Sequence, residues 1–148
     1  MKVLVIAEHD NHSIKASTLN TVAAATTLGL PVDVMILGSS CMNVATEAAK
    51  ISGISEVIVV DDESMKNALA EEVSNNIYEV AKGYNHIFLP ATTFGKNIMP
   101  RLSALLDVQP LSDIIEVIDN KTFKRPIYAG SCIATVQTEQ PIIVASVR

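Results

Sequence analysis

The sequence contains no tryptophan and only three phenylalanines and three tyrosines among 148 residues, although 49% of it is hydrophobic. With so few aromatics the core has to be assembled from Val, Ile, Leu and Ala, which suits buried parallel strands flanked by helices of small residues. Cysteine is equally scarce. Cys41 and Cys132 stand far apart and neither belongs to a CxxC pair, which leaves no disulfide framework, redox motif or zinc-binding spacing. Both read as free, buried thiols of a reducing compartment. A single domain of this size needs no such staple, because it buries roughly two-thirds of the surface its unfolded chain exposes.

Positive charge is in deficit: 11 Lys and Arg against 16 Asp and Glu give a net charge of -5. Nucleic-acid binding draws on a basic patch, and the one small cluster, Lys121, Lys124 and Arg125, reads as one face of a hairpin. Long apolar runs are missing too. Mean hydropathy is +0.32, yet runs such as Val32–Leu37 and Val57–Val60 fall far short of the ~18–20 residues of a membrane-spanning helix. The opening Met1-Lys2-Val3-Leu4-Val5-Ile6 meets Glu8, His9 and Asp10 too soon for a signal peptide, and it is not Arg- and Ser-rich like a transit peptide. A soluble, cytoplasmic protein of bacterial type, with no nucleic-acid partner and no membrane insertion, is the expectation.

What is present is a rhythm. Strand-like Lys2–Ala7, Val32–Leu37, Glu56–Val60 and His86–Leu89 alternate with helix-like stretches. These run from Thr18 to Leu28, from Met42 to Ile51, through Met65, Leu69, Val73, Ile77 and Val80, and through Ile98, Leu102, Leu105 and Leu106. Such alternation predicts right-handed βαβ crossovers and an open, mostly parallel α/β sheet flanked by helices. After Val108 the helices stop. Leu111–Ile118, Phe123–Tyr128, Cys132–Gln137 and Ile142–Val147 are all strand-like, with Asp119-Asn120-Lys121 as a hairpin turn. They predict a C-terminal antiparallel β extension. A chain ending on the strand Ser146-Val147-Arg148 leaves two accounts open, a native terminus and cleavage after an arginine.

In an open α/β sheet, ligands bind outside the carboxyl ends of the strands near the point where strand order reverses. Two loops occupy that end. Glu8-His9-Asp10-Asn11-His12-Ser13 reads as a solvated polar loop rather than a metal site, since its His spacing matches no ligand pattern and no metal is expected. Pro90-Ala91-Thr92-Thr93-Phe94-Gly95-Lys96-Asn97 resembles a P-loop only superficially: Pro90 stands at the first Gly, and Asn97 at the Ser or Thr that would hold magnesium. Two accounts of its helix start remain. Thr92 or Thr93 caps the helix with Pro100 in the first turn, or Lys96 and Arg101 help an exposed amino-terminus to hold an anion. There is no GxGxxG after the first strand and no GxSxG elbow. Cys132 reads as a core residue. No general acid and base assemble, so the chain is not expected to be an enzyme.

Several segments together resemble the amino-terminal domain of the electron transfer flavoprotein alpha subunit. They are Val5-Ile6-Ala7-Glu8-His9 with Leu19-Asn20-Thr21 and Ala23-Ala24-Ala25; Phe94-Gly95-Lys96-Asn97-Ile98-Met99-Pro100-Arg101; Pro110-Leu111-Ser112-Asp113-Ile114; and Arg125-Pro126-Ile127-Tyr128-Ala129-Gly130 with the closing Ser146-Val147-Arg148. The resemblance covers essentially the whole chain. It implies an adenine nucleotide alpha hydrolase-like fold over 1–148 and a complete protein about twice as long, with a C-terminal FAD-binding domain that this chain lacks. Truncation after Arg148 then becomes the expected account of the terminus. It further implies pairing with an electron transfer flavoprotein beta subunit, which would hold AMP where AMP is present. Electrons would come from flavin dehydrogenases such as those of fatty-acid oxidation, and pass through a quinone oxidoreductase towards the respiratory quinone pool. This chain would be the scaffold and docking platform of that electron carrier, with no cofactor-binding or catalytic residue of its own. Phe94, Lys96, Asn97, Arg101 and Arg125, on the most family-like loops, are the candidates for the partner interface. The competing reading is a stand-alone adenine-nucleotide-binding module using the loops after the first and fourth strands. A small hydrolase or transferase has no nucleophile–base pair to support it.

Overall fold

A computed structural model describes residues 1–148. Its strands are β1 (Val3–Ile6), β2 (Val32–Gly38), β3 (Ile54–Asp61), β4 (His86–Pro90), β5 (Leu111–Ile114), β6 (Glu116–Val117), β7 (Thr122–Ile127), β8 (Cys132–Gln137) and β9 (Ile143–Val147). The helices are α1 (Ala16–Thr26), α2 (Met42–Ala48), α3 (Ala70–Ala81) and α4 (Thr93–Leu106). Six strands form one sheet in the order β3-β2-β1-β4-β9-β5, parallel throughout. The chain lays down β1, β2 and β3 in one direction and then returns to place β4 on the other side of β1. That reversal puts the switch point between β1 and β4.

Period-two alternation sends successive strand residues to opposite faces, and both faces are covered. Val3 and Val5 pack with Val22 and Ala25 of α1 and Val44 and Ala48 of α2. Leu4 and Ile6 face Val73 and Ile77 of α3 and Ile98 and Leu102 of α4. A strand buried on both sides must be apolar at every position, and β1 is fully buried along its length. Burying each such side chain is worth about 1.5–3 kcal/mol, so the central strands anchor the domain. Three strand positions are buried polar exceptions, Asp33 in β2, His86 in β4 and Ser146 in β9; Asp33 accepts hydrogen bonds from the Tyr84 hydroxyl at 2.8 Å and Lys2 Nζ at 3.2 Å.

The open parallel sheet matches expectation, and the antiparallel part is present but differently built. Only β6, β7 and β8 are antiparallel, in a three-stranded sheet of their own. β5 and β9 join the parallel sheet, β9 pairing with β4 along its whole length. The antiparallel sheet is therefore inserted before the last parallel strand. Phe123 of β7 docks it, meeting Phe88 of β4 edge-on at 6.3 Å. The Asp119 turn forms as expected, its carboxylate accepting from Lys121 N and Thr122 N at 2.8 Å each.

Other readings need correction. The stretch from Met65 to Val80 is not one helix. The Asp62 side chain accepts from Ser64 N and starts a separate 3₁₀ turn at Glu63–Met65, Ala68 then adopts φ 49°, and α3 begins at Ala70. Leu69 is consequently 55% exposed. Leu111–Ile118 breaks into β5 and β6, with Asp113 left-handed at φ 58°. Pro100 lies inside α4, not in its first turn. Cys41 is buried, but Cys132 is exposed at the start of β8, on the same face as Val136 but at the far end of the strand from the Phe123 contact. Lys121, Lys124 and Arg125 share no face: Lys121 pairs with Glu139, Lys124 pairs with Glu116, and Arg125 turns inward. No helix is long and apolar enough to cross a membrane.

Candidate functional site

The carboxyl ends of β1 and β4 meet at the switch point, where this architecture ordinarily opens a crevice. Here a side chain of the fold itself fills the part of the crevice between the two helix starts. Glu8, the second residue beyond β1, is only 7% exposed. Its Oε2 accepts from Thr92 Oγ1 at 2.8 Å and Ser17 Oγ at 2.9 Å, and its Oε1 accepts from Lys15 Nζ at 3.3 Å. Lys15 and Ser17 flank the start of α1, and Thr92 is the cap of α4. One carboxylate thus joins the amino-termini of two helices, the ends that carry unpaired N–H groups and partial positive charge. Burial pushes the Glu8 carboxyl up, but hydrogen bonds from Thr92, Ser17 and Lys15 outweigh it and leave the pKa below its ordinary value.

The expectation of a solvated loop holds for Asp10, His12 and Ser13, which are exposed, but not for Glu8, which is buried, and only in part for His9 and Asn11. His9 Nε2 bonds the Leu37 carbonyl at 2.9 Å, while its Nδ1 accepts from Asn11 N at 3.0 Å. That pattern fixes the neutral Nε2–H tautomer, and burial, partly opposed by the Leu37 bond, lowers the pKa of the ring. Asn11 Oδ1 accepts from Ser39 N at 2.9 Å. The approach is so close that a Cβ on Gly38 would lie 2.5 Å from Asn11 Oδ1. Asp10 folds back on its own loop, accepting from His12 N and Ser13 N. No group of three or more His, Cys, Asp or Glu side chains is arranged to hold a metal.

On the second loop, Thr92 accepts from Gly95 N and is the cap. Gly95 turns the chain hard against the strand it has just left, with the site of a Cβ only 1.8 Å from the Pro90 carbonyl oxygen. Lys96 Nζ pairs with Asp113 at 3.3 Å in a half-exposed ion pair. Phe94, on the first turn of α4, is half-buried against the α3–α4 core and lines a small cleft with His9, Asn11, Leu37 and Met65. Asn97 and Arg101 lie on the exposed side of α4. Arg125 is on β7 and donates from Nη2 to Ser112 Oγ at 2.9 Å. The five candidates therefore do not share one cleft. Phe94, Lys96 and Arg125 line three different ones.

Sequence reasoning missed two features. The Glu8–Thr92 bond joins residues 84 apart, and its signal was the Ser and Thr at two helix starts opposite an acid. The second is a polar cleft of about 470 Å³ lined by Lys96, Asp113, Tyr128, Ala129, Gly130 and Arg148. Four of its residues are left-handed: Asp113 at φ 58°, Tyr128 at 50°, Ala129 at 53° and Gly130 at 88°. Only Gly130 is free of a Cβ penalty there, and Tyr128 is left 79% exposed.

Comparison with known proteins names the family. A family model described as electron transfer flavoprotein domain matches residues 3–148. The chain is 49% identical over its full length to the electron transfer flavoprotein subunit alpha of Pseudomonas aeruginosa, covering 48% of that protein. It is 44% identical to the mitochondrial alpha subunit of Dictyostelium discoideum, with 98% of the chain and 43% of the relative aligned. It is also 42% identical to the alpha subunit of Paracoccus denitrificans, with 100% and 48% aligned. The chain spans about half the length of these curated relatives. It belongs to the electron transfer flavoprotein family, and its relatives there are alpha subunits.

Proposed function

We propose that this chain is the scaffold and beta-subunit docking domain of a heterodimeric electron transfer flavoprotein. In the complete protein FAD would sit in a C-terminal domain outside these residues, and AMP, where present, in the beta subunit. The heterodimer would take electrons from flavin dehydrogenases and pass them through a quinone oxidoreductase to the respiratory quinone pool, in a bacterial cytoplasm. This piece would carry no electrons and perform no catalysis.

The observation that supports this over a nucleotide-binding module is Glu8. A nucleotide phosphate at the switch point would meet this carboxylate between the two helix starts, already bonded to the Thr92 and Ser17 hydroxyls there. Lys96, the side chain such a module would use, is held by Asp113. The test is to purify the chain alone and with its cognate beta subunit. The chain is expected to be colourless, to show no calorimetric signal with AMP or FAD, and to co-purify with the beta subunit. A stoichiometric flavin spectrum, or nucleotide binding that Lys96→Ala abolishes, would overturn the proposal.

A further inference from the structure

Arg125 is a partly buried charge that no acidic side chain of this fold pairs. Arg125 sits two residues from Phe123 on β7, so both side chains leave the strand on the face turned towards the main sheet, where Phe123 is fully buried. Its Nη2 donates to Ser112 Oγ at 2.9 Å. Its Nε is shut away from solvent with no hydrogen-bond partner. The acids that stand near it in sequence or strand pairing are committed elsewhere: Glu116 to Lys124, Glu139 to Lys121 and Asp113 to Lys96. Withdrawing a charge from water without pairing it is unfavourable, and a guanidinium presents its donors as a planar fork matched to a carboxylate.

The surroundings suit such a ligand. Arg125 forms one wall of a cleft of about 290 Å³ whose other polar residues are Gln109, Gln137, Thr138 and Gln140, and no acidic side chain lines it. The cleft is braced, because the Gln140 amide bonds both the N–H and the carbonyl of Gln109 and so ties the segment before β9 to the segment before β5. Its walls set these neutral donors and acceptors, with the apolar Pro110, Leu111, Val136 and Ile143, around a single cation.

We infer that this cleft receives a carboxylate side chain of the protein that docks here. The inference rests on the docking reading above and sharpens it by naming the chemistry of the contact. A lone cation is a weak trap for a free small anion, which must forfeit its translational freedom for one contact. An acidic side chain delivered by a protein shares that cost with the rest of the interface. The bidentate fork then fixes register as well as contributing affinity.

The test compares the wild-type chain with Arg125→Gln and Arg125→Lys, measuring affinity for the cognate beta subunit and thermal unfolding of each chain alone. Arg125→Gln is expected to weaken the complex about tenfold to a hundredfold, with Arg125→Lys in between, and the isolated Gln variant to unfold at the same temperature as wild type or higher. Wild-type affinity in Arg125→Gln overturns the inference alone. So does a lowered unfolding temperature in that variant, which would make the arginine an internal support. So does loss of a self-associated form with beta binding intact, which would make the occupant a second copy of this chain. If the wild-type chain forms no complex with the beta subunit, the docking reading falls and this inference falls with it.

Discussion

The substitution Gly95→Ala tests whether the tight turn between β4 and α4 depends on the missing side chain. The added Cβ would stand 1.8 Å from the Pro90 carbonyl oxygen and 3.3 Å from Leu89 Cβ. An ordinary carbon–oxygen contact is about 3.3 Å, so the β4–α4 junction would have to open by about 1.5 Å. Overpacking that a core absorbs costs roughly 1–3 kcal/mol. The atom struck here is backbone at the end of a central strand, so relaxation also pulls on the Thr92 cap, itself worth about 1 kcal/mol. The expected loss is therefore about 3–4 kcal/mol, and Tm should fall by about 6–15 °C for a domain of this size. Urea unfolding followed by circular dichroism reads the loss as a lower midpoint at unchanged slope. Gly83→Ala is the control, because its Cβ would meet only the Val80 carbonyl at 3.6 Å; it should stay within about 0.5 kcal/mol of wild type. A Gly95→Ala midpoint indistinguishable from that of Gly83→Ala would refute the reasoning.

Tyr84→Phe removes the hydroxyl that donates to fully buried Asp33 at 2.8 Å, leaving that carboxylate to half-exposed Lys2 alone; a loss of about 1–3 kcal/mol is expected in the same unfolding assay. Two histidines, buried His86 and half-buried His9, set the pH dependence near neutrality. His86 Nε2 bonds the Asn120 carbonyl at 2.7 Å and its Nδ1 is buried without a partner, and burial lowers the pKa of both His86 and His9 below 6.5. As pH falls through 6.5 the unfolded chain binds protons that the folded chain refuses, so stability drops between 6.5 and the lowered folded values, by up to about 1.4 kcal/mol per pH unit for each histidine. Above that window the term is constant. Thermal unfolding from about pH 7.5 to about pH 5 should show this slope, and His86→Gln should remove about half of it; an unchanged slope in the variant counts against the assignment.

Where a residue's role is set by its neighbours in sequence, the role was readable. β1 is an unbroken apolar run because both its faces are covered, β4 is apolar after His86, the cap at Thr92 follows from a hydroxyl before a helix, and Asp119 announces its own turn. Roles set across the fold were not. A strand pattern such as Cys132–Gln137 does not say how far along a face the cover will reach: Cys132 shares a face with Val136, which packs on the core, yet is itself exposed. The period through Leu69 counts as helical until a left-handed Ala68 breaks it, and nothing in alanine signals positive φ. The pairing of Lys96 with Asp113 depends on β5 lying beyond β9 at the sheet edge, an order no local pattern encodes.

Glu8 bears most directly on what kind of protein this is. An open α/β sheet offers helix amino-termini at its switch point, and a ligand phosphate would neutralise them from outside. Here the chain supplies the anion itself, two residues past β1, and the hydrogen bonds that hold it also keep it ionised at neutral pH. A phosphate entering this place would have to expel a buried carboxylate or sit beside it, and both are opposed, the first by lost charge-assisted hydrogen bonds and the second by like-charge repulsion. The crevice has become a joint that locks β1, α1 and α4 together.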